Sequence, residues 1–338
     1  MKTILVTGGA GFIGSNFIPY FLGKYADYMI VNLDALTYAG NLDNLKEVEG
    51  NSRYVFVKGD ICDRSLVESL FSKYDLKGVI HFAAESHVDN SIAGPEAFIK
   101  TNINGTFTLL DVARKHWMDA PFEIKRGCEG NRFLHISTDE VYGSLGPEGF
   151  FTETTAYAPN SPYSASKASS DLLVRSYFHT YGLNVVTTNC SNNYGPKQHS
   201  EKLIPTIIRK ALAGQPIPIY GDGMNVRDWL YVLDHAKGID IAFHKGIAGE
   251  TYNIGGGNER TNNEIVKVIY KILDEKKPRS DDKSYKEQIT FVKDRAGHDK
   301  RYAIDATKIV TQLGWRAEEN FESGILKTIE WYLNYRAN

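Results

Sequence analysis

The stretch Thr7-Gly8-Gly9-Ala10-Gly11-Phe12-Ile13-Gly14 stands between a short apolar run and a segment with helical spacing. Glycines 9, 11 and 14 fit the pattern G-x-G-x-x-G, and glycines 8, 11 and 14 fit G-x-x-G-x-x-G. Glycine is required where a chain turns sharply and a pyrophosphate approaches the backbone at the positive end of a helix. Glycines also serve ordinary tight turns, but here the flanking strand and helix are those that a dinucleotide site needs. The segment therefore predicts a dinucleotide-binding turn.

The rest of the first 190 residues repeats this alternation of strand and helix. Short apolar runs bounded by polar turns predict strands at 3–7, 29–33, 54–57, 78–82, 132–137 and 184–189. Helical spacing lies between or after most of them, at 13–22, 64–74, 103–116 and 164–181. Strands that alternate with helices form parallel sheets. The sequence therefore predicts an α/β fold with a Rossmann-type, doubly wound parallel sheet.

Acidic and apolar residues follow the predicted second, third and fourth strands. Asp34 lies 20 residues beyond Gly14, where an acid accepts hydrogen bonds from the adenosine ribose and repels a 2′-phosphate. This favours NAD over NADP, whereas the alternative is an acid that only caps the next turn. Ligands of open α/β sheets bind beyond the carboxyl ends of the strands. We therefore expect the cofactor-binding set to be Gly8, Gly11, Phe12, Ile13, Gly14, Asp34, Ala35, Leu36, Thr37, Asp60, Ile61, Phe82, Ala83 and Ala84.

The alternation loosens after about residue 190 into segments with Pro and Gly and shorter helices, such as 203–213 and 262–273. We expect an NAD-binding Rossmann domain at 1–190. Residues 191–338 are predicted to form mainly a smaller C-terminal substrate-binding lobe, with segments that return to the sheet. The charge-rich stretch 274–286 reads as a surface loop.

The composition excludes several classes of protein. The net charge is −2 with both signs interspersed, so there is no electrostatic footprint for nucleic acid or an anionic membrane. Three cysteines at distant positions indicate neither a disulfide framework nor a metal site, and we expect no metal. The N-terminal run is neither a signal peptide nor a membrane span. These features predict a cytoplasmic protein whose partner is a small molecule or another copy of the chain.

A phenol and an ammonium lie one helical turn apart at Tyr163 and Lys167, so both project from one face. Tyrosine titrates near pH ~10, and a nearby cation favours its phenolate. The pair is then suited to general base catalysis. Because a lysine at this spacing usually just extends into water, the prediction depends on the hydroxyl that Ser137 or Thr138 can supply to the same substrate oxygen.

Two adjacent acids, Asp139 and Glu140, follow the predicted strand at 132–137. On a continuous strand they would face opposite ways, so a joint role requires that the strand has already ended. A solvated acid pair in a loop is the commoner arrangement. Their combination with Thr138, Tyr163 and Lys167 favours catalysis.

Taken together, these residues resemble the extended short-chain dehydrogenase/reductases that act on nucleotide sugars. The resemblance covers nearly the whole chain and rests on the glycine turn and on six further motifs. They are HFAAESHVD (81–89), STDEVYG (137–143), YSASK (163–167), SNNYGP (191–196), RDWLYV (227–232) and DRAGHDKRYA (294–303). Within this family, the triplet Thr138-Asp139-Glu140 looks like that of the dTDP-glucose 4,6-dehydratases of deoxysugar (rhamnose-type) biosynthesis.

The resemblance implies NAD as a tightly held cofactor and dTDP-glucose as the substrate of a lyase reaction. It implies that Tyr163 is the base at the C4 hydroxyl, that Lys167 holds the cofactor ribose, that Glu140 takes the C5 proton and that Asp139 protonates the C6 hydroxyl. Ser86, Thr101 and Asn193 join Tyr163 and Lys167 beside the cofactor. The implied substrate residues are Ser86, His87, Thr138, Asn192, Lys202, Leu203, Pro218, Tyr220, Arg227, Asn262, Asp294 and His298. Arg227 is a plausible bidentate partner for phosphates, or a structural residue paired with Asp228. The family also implies a homodimer formed through the helices at 103–116 and 164–181.

Two departures from the family pattern bear on specificity. Ala296 stands where a proline is expected, and Lys197, His199 and Ser200 stand where two aromatics and a proline are expected. Both stretches are expected in substrate loops. The alternatives that stay open are a UDP-sugar 4-epimerase, a decarboxylase, a UDP-glucose or GDP-mannose 4,6-dehydratase, and a regulatory protein that binds the cofactor without turnover.

Overall fold

A computed structural model describes residues 1–294 and 299–335 of the chain. The strands in chain order are β1 (Lys2–Thr7), β2 (Tyr28–Asp34), β3 (Tyr54–Lys58), β4 (Leu76–His81), β5 (Met118–Ala120), β6 (Glu123–Ile124), β7 (Arg132–Thr138), β8 (Val185–Cys190), β9 (Asn192–Tyr194), β10 (Ile217–Tyr220), β11 (Val226–Tyr231), β12 (Thr251–Ile254), β13 (Glu259–Thr261) and β14 (Ile289–Val292). The helices are α1 (Phe12–Lys24), α2 (Arg64–Tyr74), α3 (Val88–Ala93), α4 (Glu96–Phe98), α5 (Thr106–Trp117), α6 (Pro162–Tyr181), α7 (Leu203–Leu212), α8 (Val232–Lys245), α9 (Asn262–Lys276), α10 (Thr307–Leu313) and α11 (Phe321–Tyr335). A π-helical stretch, Ile99–Gly105, leads into α5.

Seven strands form the main sheet in the order β12-β8-β7-β4-β1-β2-β3, and every neighbouring pair is parallel. The strand order turns back between β1 and β4, where the connections leave in opposite directions and open a crevice. The predicted Rossmann-type, doubly wound sheet is confirmed, and the six predicted strands are present with small shifts at their ends. The sheet therefore places the ends of β1, β2, β4 and β7 around one cleft.

Helices cover both faces of this sheet. Ile4 and Val6 of β1 pack into one core with Phe17 of α1, while Leu5 between them packs into a second core with Leu109 of α5. Successive strand residues point to opposite faces, and a sheet buried on both faces needs apolar residues at every position. This is why the predicted strands read as short continuous apolar runs.

A third core lies in the C-terminal part of the chain, between α7, α9, α11 and the strands β10 and β11. The strand β12 also comes from this part, yet it pairs with β8 at the edge of the main sheet. The division of the chain near residue 190 stays a prediction.

Helix α9 runs to Lys276, so the predicted surface loop at 274–286 begins too early. A capping box between Thr261 and Glu264 starts this helix, and the buried side chains Ile269 and Leu273 hold its last turns against the third core. Burial of this apolar stripe carries the helix into the charged stretch, which is why that boundary prediction is wrong. Among the described helices, none is long and apolar enough to cross a membrane.

Candidate active site

The glycine turn between β1 and α1 forms a backbone cradle. Gly8 has φ +71°, and a Cβ at this position would lie 2.6 Å from the Ala83 nitrogen. A Cβ on Gly14 would lie 2.6 Å from the Gly8 carbonyl oxygen. The helix begins after Gly11, and no side chain caps it, so its first N–H groups are left for another acceptor. Such a helix start, approached closely by the backbone, fits the pyrophosphate of NAD.

Asp34 at the end of β2 fixes the loops beside this cradle. Its carboxylate accepts hydrogen bonds from the Ala10 nitrogen and the Leu36 nitrogen, both at 2.8 Å. Burial raises the pKa of Asp34, and the two N–H donors act against that shift. Asp34 therefore caps the following turn and also lines the cleft. Its hydrogen bonds to the adenosine ribose stay a prediction.

A cavity of about 400 Å³ runs from the glycine turn to the end of β7. This volume falls within the usual range for small-molecule sites. The structure brings most of the predicted site residues into its lining. They are Gly8, Gly11, Phe12, Ile13, Gly14, Asp34, Ala35, Thr37, Asp60, Ile61, Phe82, Ala83, Ala84, Ser86, Thr101, Thr138, Asp139, Glu140, Tyr163, Lys167, Asn192, Asn193, Lys202 and Leu203.

The strand β7 ends at Thr138, and the next residues form a turn of 3₁₀ helix, Asp139–Tyr142. The Thr138 hydroxyl starts this turn, since its Oγ1 accepts a hydrogen bond from the Glu140 nitrogen at 3.3 Å. The acid pair therefore lies past the end of the strand, as its joint role requires, and both acids line the cavity.

Asp139 is almost completely buried, with 1% of its surface exposed. Its Oδ1 accepts a hydrogen bond from Thr138 at 3.4 Å, whereas its Oδ2 has no hydrogen-bond partner within the described parts of the chain. Burial, with Glu140 and Asp228 nearby, raises the pKa of Asp139 well above its ordinary value, and Arg227 acts in the opposite direction. The environment of Asp139 thus favours its protonated form, while Glu140 is only half-buried.

Tyr163 and Lys167 lie one turn apart near the start of α6, and both are buried. The Lys167 ammonium donates to the Ile136 carbonyl oxygen at 2.8 Å, and the Thr138 hydroxyl acts to lower the pKa of Tyr163. The expectation that Lys167 lowers the pKa of Tyr163 is wrong for this structure. Burial, followed by Glu140, raises the pKa of Tyr163 well above its ordinary value, because a phenolate loses its hydration in the closed interior.

A further buried carboxyl, Asp171, lies one helical turn beyond Lys167. It accepts hydrogen bonds from Ser137 at 2.7 Å and from Tyr157 at 3.0 Å, and it contacts the His135 ring at 3.0 Å. Burial raises the pKa of Asp171 to about 6. Burial lowers the pKa of Lys167. The charge of Asp171 acts against that shift, because it favours the protonated form of Lys167.

Comparison with known proteins bears directly on this site. The family profile described as GDP-mannose 4,6 dehydratase matches residues 5–328. The dTDP-glucose 4,6-dehydratase of Xanthomonas campestris pv. campestris (strain B100) is 57% identical over 333 residues, which cover 98% of this chain and 93% of that protein. The chain belongs to the dTDP-glucose 4,6-dehydratase family.

Solved structures agree with this family assignment. The dTDP-glucose 4,6-dehydratase of Streptomyces venezuelae, solved with NAD bound, is 45% identical and superposes with a TM-score of 0.90 over 99% of this chain and 98% of that one. A UDP-glucose 4-epimerase of Thermotoga maritima, solved with UDP-glucose, is 29% identical with a TM-score of 0.87 over 99% and 100% of the two chains. Dehydratases and epimerases thus share this fold, so only the side chains in the cavity can distinguish their reactions.

Some of the predicted site residues lie outside the cavity lining: Leu36, His87, Pro218, Tyr220, Arg227, Asn262 and Asp294. His298 lies outside the described residues. The Arg227 guanidinium donates to the carbonyl oxygens of Val226 and Asp299 at 2.8 and 2.9 Å and stacks on Tyr302. Asp228 does not hold it, because that carboxylate accepts from the backbone nitrogens of residues 256 and 258. Arg227 therefore does not pair with its neighbour in sequence, and its charge acts to lower the pKa of Asp139.

Several lining residues are missing from the sequence-based set: Tyr38, Glu85, Cys190, Ser191, Gln198, His199, Glu201, Ile204 and Trp229. Most belong to the motifs of this dehydratase family or lie within two residues of a predicted site residue. Asp228, which raises the pKa of Asp139, follows Arg227 in the motif RDWLYV. A position inside a motif is the signal that could have found Glu85, Ser191 and Trp229, whereas Gln198, His199 and Glu201 lie outside every motif.

Lys197, one of the departures from the family pattern, contacts the cofactor half of the molecule. Its ammonium donates to the Ser15 carbonyl oxygen at 3.1 Å and to the Glu47 carboxylate at 2.6 Å. The expectation that this departure concerns only a substrate loop is therefore too narrow. Between residues 1 and 294 and from 299 to 335, no group of three His, Cys, Asp or Glu side chains is placed to hold a metal ion.

Proposed function

We propose that this chain is an NAD-dependent hydro-lyase that converts dTDP-D-glucose to dTDP-4-keto-6-deoxy-D-glucose and water, in deoxysugar biosynthesis. The observation that carries the proposal is the environment of Asp139. A buried carboxyl with a raised pKa, whose Oδ2 has no hydrogen-bond partner among residues 1–294 and 299–335, stands next to Glu140 at the end of the cavity that also holds Tyr163. The named activity of the family members supports the same reaction.

The cradle at Gly8 to Gly14 would hold the pyrophosphate of NAD, with Asp34 at the adenosine ribose and Lys167 at the nicotinamide ribose. Bound NAD supplies the oxidising and then the reducing equivalent, at sugar C4 and later at C6. The positive charge of an oxidised nicotinamide favours ionisation of a nearby phenol. Burial raises the pKa of Tyr163, and the charge of the nicotinamide acts against this shift. Tyr163 then acts as the base that takes the proton of the C4 hydroxyl.

The acid pair performs the elimination. A ketone at C4 makes the C5 proton acidic, and Glu140 removes it. Asp139 donates its proton to the C6 hydroxyl, which leaves as water, and Oδ2 is the atom placed to meet that hydroxyl because Oδ1 already accepts from Thr138. Neighbouring carboxyl groups whose environments separate their proton affinities suit this division of roles.

A UDP-sugar 4-epimerase is the second candidate, because it shares the fold and needs the same Tyr163, Lys167 and NAD. The epimerase reaction leaves C5 and C6 untouched. It therefore needs no buried acid such as Asp139. A decarboxylase or a GDP-mannose dehydratase is expected to carry Ser where Asp139 stands. The raised pKa of Asp139 therefore favours a dehydratase over an epimerase.

The substrate would extend from the acid pair toward the C-terminal lobe. Arg227, with Lys202 and Asn192 nearer the cavity, would bind the diphosphate, and its charge would also hold down the proton affinity of Asp139. Pro218, Tyr220, Asn262 and Asp294 would line the base and its ribose. Binding assays that compare dTDP-glucose with UDP-glucose test this assignment, and preference for the uracil nucleotide would contradict it.

One labelling experiment tests the reaction itself. The protein is given dTDP-glucose deuterated at C4, and the product is examined by mass spectrometry and NMR. We expect loss of water, deuterium at C6 and no net accumulation of reduced cofactor. Unchanged mass with inverted configuration at C4 would instead identify an epimerase.

A homodimer and a cytoplasmic location belong to the same proposal. Leu109, Leu110 and Tyr177 pack inward against the sheet, but Phe107 and Leu172 on the same two helices are 43% and 58% exposed. Two copies could bury these side chains together in a four-helix bundle. Sedimentation of the wild-type protein and of Leu172→Glu tests this, since the charged variant is expected to be monomeric.

A further inference from the structure

Asn193 lines the cavity, and its side-chain amide is held by a histidine that lies behind it. The Nδ1 of His235 is 2.8 Å from Oδ1 of Asn193, and Nδ2 of Asn193 donates to the Ser191 carbonyl oxygen at 3.0 Å. His235 is fully buried at the start of α8 and lies outside the cavity lining. The histidine therefore contacts a residue of the cavity wall without reaching the cavity itself.

The direction of both hydrogen bonds follows from the Ser191 carbonyl oxygen, which can only accept. The amide atom of Asn193 that faces this oxygen must be the nitrogen, so the atom that faces His235 is the oxygen. Because an amide oxygen carries no hydrogen, the Nδ1 of His235 must donate. Burial lowers the pKa of His235 to about 3. The ring is therefore neutral near pH ~7, with its hydrogen on Nδ1.

The other ring nitrogen of His235 has no comparable contact. Its Nε2 has no hydrogen-bond partner within residues 1–294 and 299–335, and a buried polar atom without a partner is unfavourable. A phenylalanine would fill similar space without this penalty. Packing alone therefore does not account for a histidine at this position, whereas the hydrogen that Nδ1 supplies to Asn193 does.

The amide of Asn193 lies near the end of the cavity that holds the acid pair. Cys190, at the end of β8, lies beside Thr138 in the sheet, and residues 190–193 all line the cavity. Asn193 also acts to lower the pKa of the Cys190 thiol, as an N–H donor beside that sulfur would. With its oxygen turned to His235, the amide therefore has its N–H groups on the side of these cavity residues.

We infer that His235 is a positioning residue that keeps the N–H side of the Asn193 amide toward the nicotinamide half of bound NAD. This inference rests on the proposed placement of NAD in the cavity. Without the Nδ1 hydrogen, the Ser191 carbonyl oxygen alone would fix the amide, which would then also turn its oxygen toward the cofactor. The nicotinamide would lose a donor, and its position against sugar C4 would be less well defined.

Steady-state kinetics with dTDP-glucose, unlabelled and deuterated at C4, tests this role. His235→Phe removes the donor at similar volume, whereas His235→Asn keeps a donor nitrogen bonded to Cγ. For His235→Phe we expect a kcat lower by roughly tenfold, the value of one hydrogen bond, with KM for dTDP-glucose unchanged. The deuterium isotope effect on kcat should rise, because hydride transfer becomes slower. His235→Asn should restore wild-type values.

His244→Phe is the matched control, because His244 lies on the same helix and outside the cavity lining. Its ring contacts the Asp240 carbonyl oxygen at 3.0 Å and the Tyr28 hydroxyl at 3.2 Å. This variant should keep the wild-type kcat and isotope effect even if its stability falls. A fall in kcat equal to that of His235→Phe would assign both effects to the packing of α8 and would overturn the inference.

A double-mutant cycle with Asn193→Leu tests whether His235 acts through the amide. In the Asn193→Leu background there is no amide to orient, so His235→Phe should lower kcat no further. If the two substitutions instead multiply in their effects on kcat, His235 acts independently of Asn193 and the inference is overturned.

NMR of wild-type protein with ¹⁵N-labelled histidine tests the hydrogen bond without any variant that must remain stable. The ring of His235, identified by the signals missing from His235→Asn, should be neutral with its hydrogen on Nδ1. A hydrogen on Nε2 would overturn the inference. Absence of product from wild-type protein would instead overturn the proposed function, and the state of the ring and the NAD content of purified His235→Phe, expected to be lower, would still test the role of His235.

Discussion

Asp34 and Asp139 are two buried aspartates at the same edge of the main sheet, and they differ in what their oxygens meet. Asp34 ends β2 and accepts hydrogen bonds from two backbone nitrogens. Asp139 follows β7 and accepts, from the part of the chain that the structure describes, only a long hydrogen bond from Thr138 on one oxygen, while Glu140 and Asp228 repel its charge. Burial raises the pKa of both carboxyl groups. The two backbone N–H donors favour the ionised form of Asp34. The described residues supply no backbone N–H donor to Asp139, so its protonated form is favoured. The residue type therefore does not determine the role, whereas the neighbours do.

The largest expected effect comes from removing the acid–base pair at the Asp139 end. Asp139→Asn and Glu140→Gln should each lower the rate of dehydration by about 10² to 10⁴. Glu140→Gln should also accumulate bound reduced cofactor, because oxidation at C4 proceeds while the C5 proton stays in place. The absorbance of reduced nicotinamide during turnover measures this.

Glu148→Gln is the control for that experiment, because Glu148 is exposed in the loop that follows the acid pair. It should turn over at the wild-type rate. Normal turnover by Glu140→Gln would remove Glu140 from the mechanism and leave Asp139 without its counterpart.

Asp171 extends the comparison to a third buried carboxyl, which is fully hydrogen-bonded yet still has a raised pKa. A folded-state pKa of about 6 against the ordinary aspartate value of 3.8 means that the folded protein binds this proton more tightly than the unfolded chain does. Its stabilisation is complete below pH 3.8 and is lost as the pH rises to about 6. At about 1.36 kcal/mol per pKa unit, the free energy of unfolding should fall by about 3 kcal/mol across that window.

Denaturant titrations of wild-type protein and Asp171→Asn as a function of pH measure this difference. The free energy of unfolding of Asp171→Asn should not show the fall between pH 3.8 and about 6. Tyr157→Phe removes a hydrogen bond that favours the carboxylate, so it should shift the window to higher pH. Parallel curves for wild-type protein and Asp171→Asn would show that Asp171 does not titrate there.

Gly8→Ala tests the cofactor end, where the backbone rather than a side chain makes the site. A positive φ and a contact of 2.6 Å to the Ala83 nitrogen should cost about 1–3 kcal/mol of stability and release NAD. Thermal unfolding and the NAD content of the purified protein measure both effects. Gly23→Ala is the matched control, since its Cβ meets nothing within 4 Å and a helical alanine should be neutral or stabilising. If the two variants are equally stable and retain equal amounts of NAD, the glycine turn does not form the cofactor cradle.

The smallest effect is expected from Asp34→Asn, which removes the charge and one of two backbone contacts. NAD binding should weaken roughly tenfold, the value of one hydrogen bond to a charged group, and discrimination against NADP should fall. Calorimetric titration of both nucleotides measures this. Asp43→Asn, an exposed acid in the next helical segment, should bind NAD as the wild type does. If Asp34→Asn prefers NAD over NADP as strongly as the wild type does, Asp34 acts only in the turn.

The sequence predicted the fold and much of the site because the relevant signals are local. The glycine turn needs a strand before it and a helix after it, both within a few residues. Tyr163 and Lys167 share a face because they are one helical turn apart. The end of β7 at Thr138 was expected from the requirement that both acids face the same cavity.

Other features could not be read from the chain because they depend on its packing. Asp228 and Arg227 act on Asp139 across a large sequence distance, and His199 and Glu201 reach the cavity wall from a loop that carries few regular signals. The extension of α9 depended on a buried stripe that only the third core explains. The direction of the Tyr163 pKa was also wrong in advance, because a nearby lysine was visible in sequence and complete burial was not.

By itself, then, the sequence determined the parallel sheet, the dinucleotide turn and the residues able to move protons. Only the tertiary structure decided which of those residues are buried and in which direction the pKa of each is shifted. The physical reason is that proton affinity depends on hydration and on nearby charges. Both are set by segments that meet only when the chain is folded.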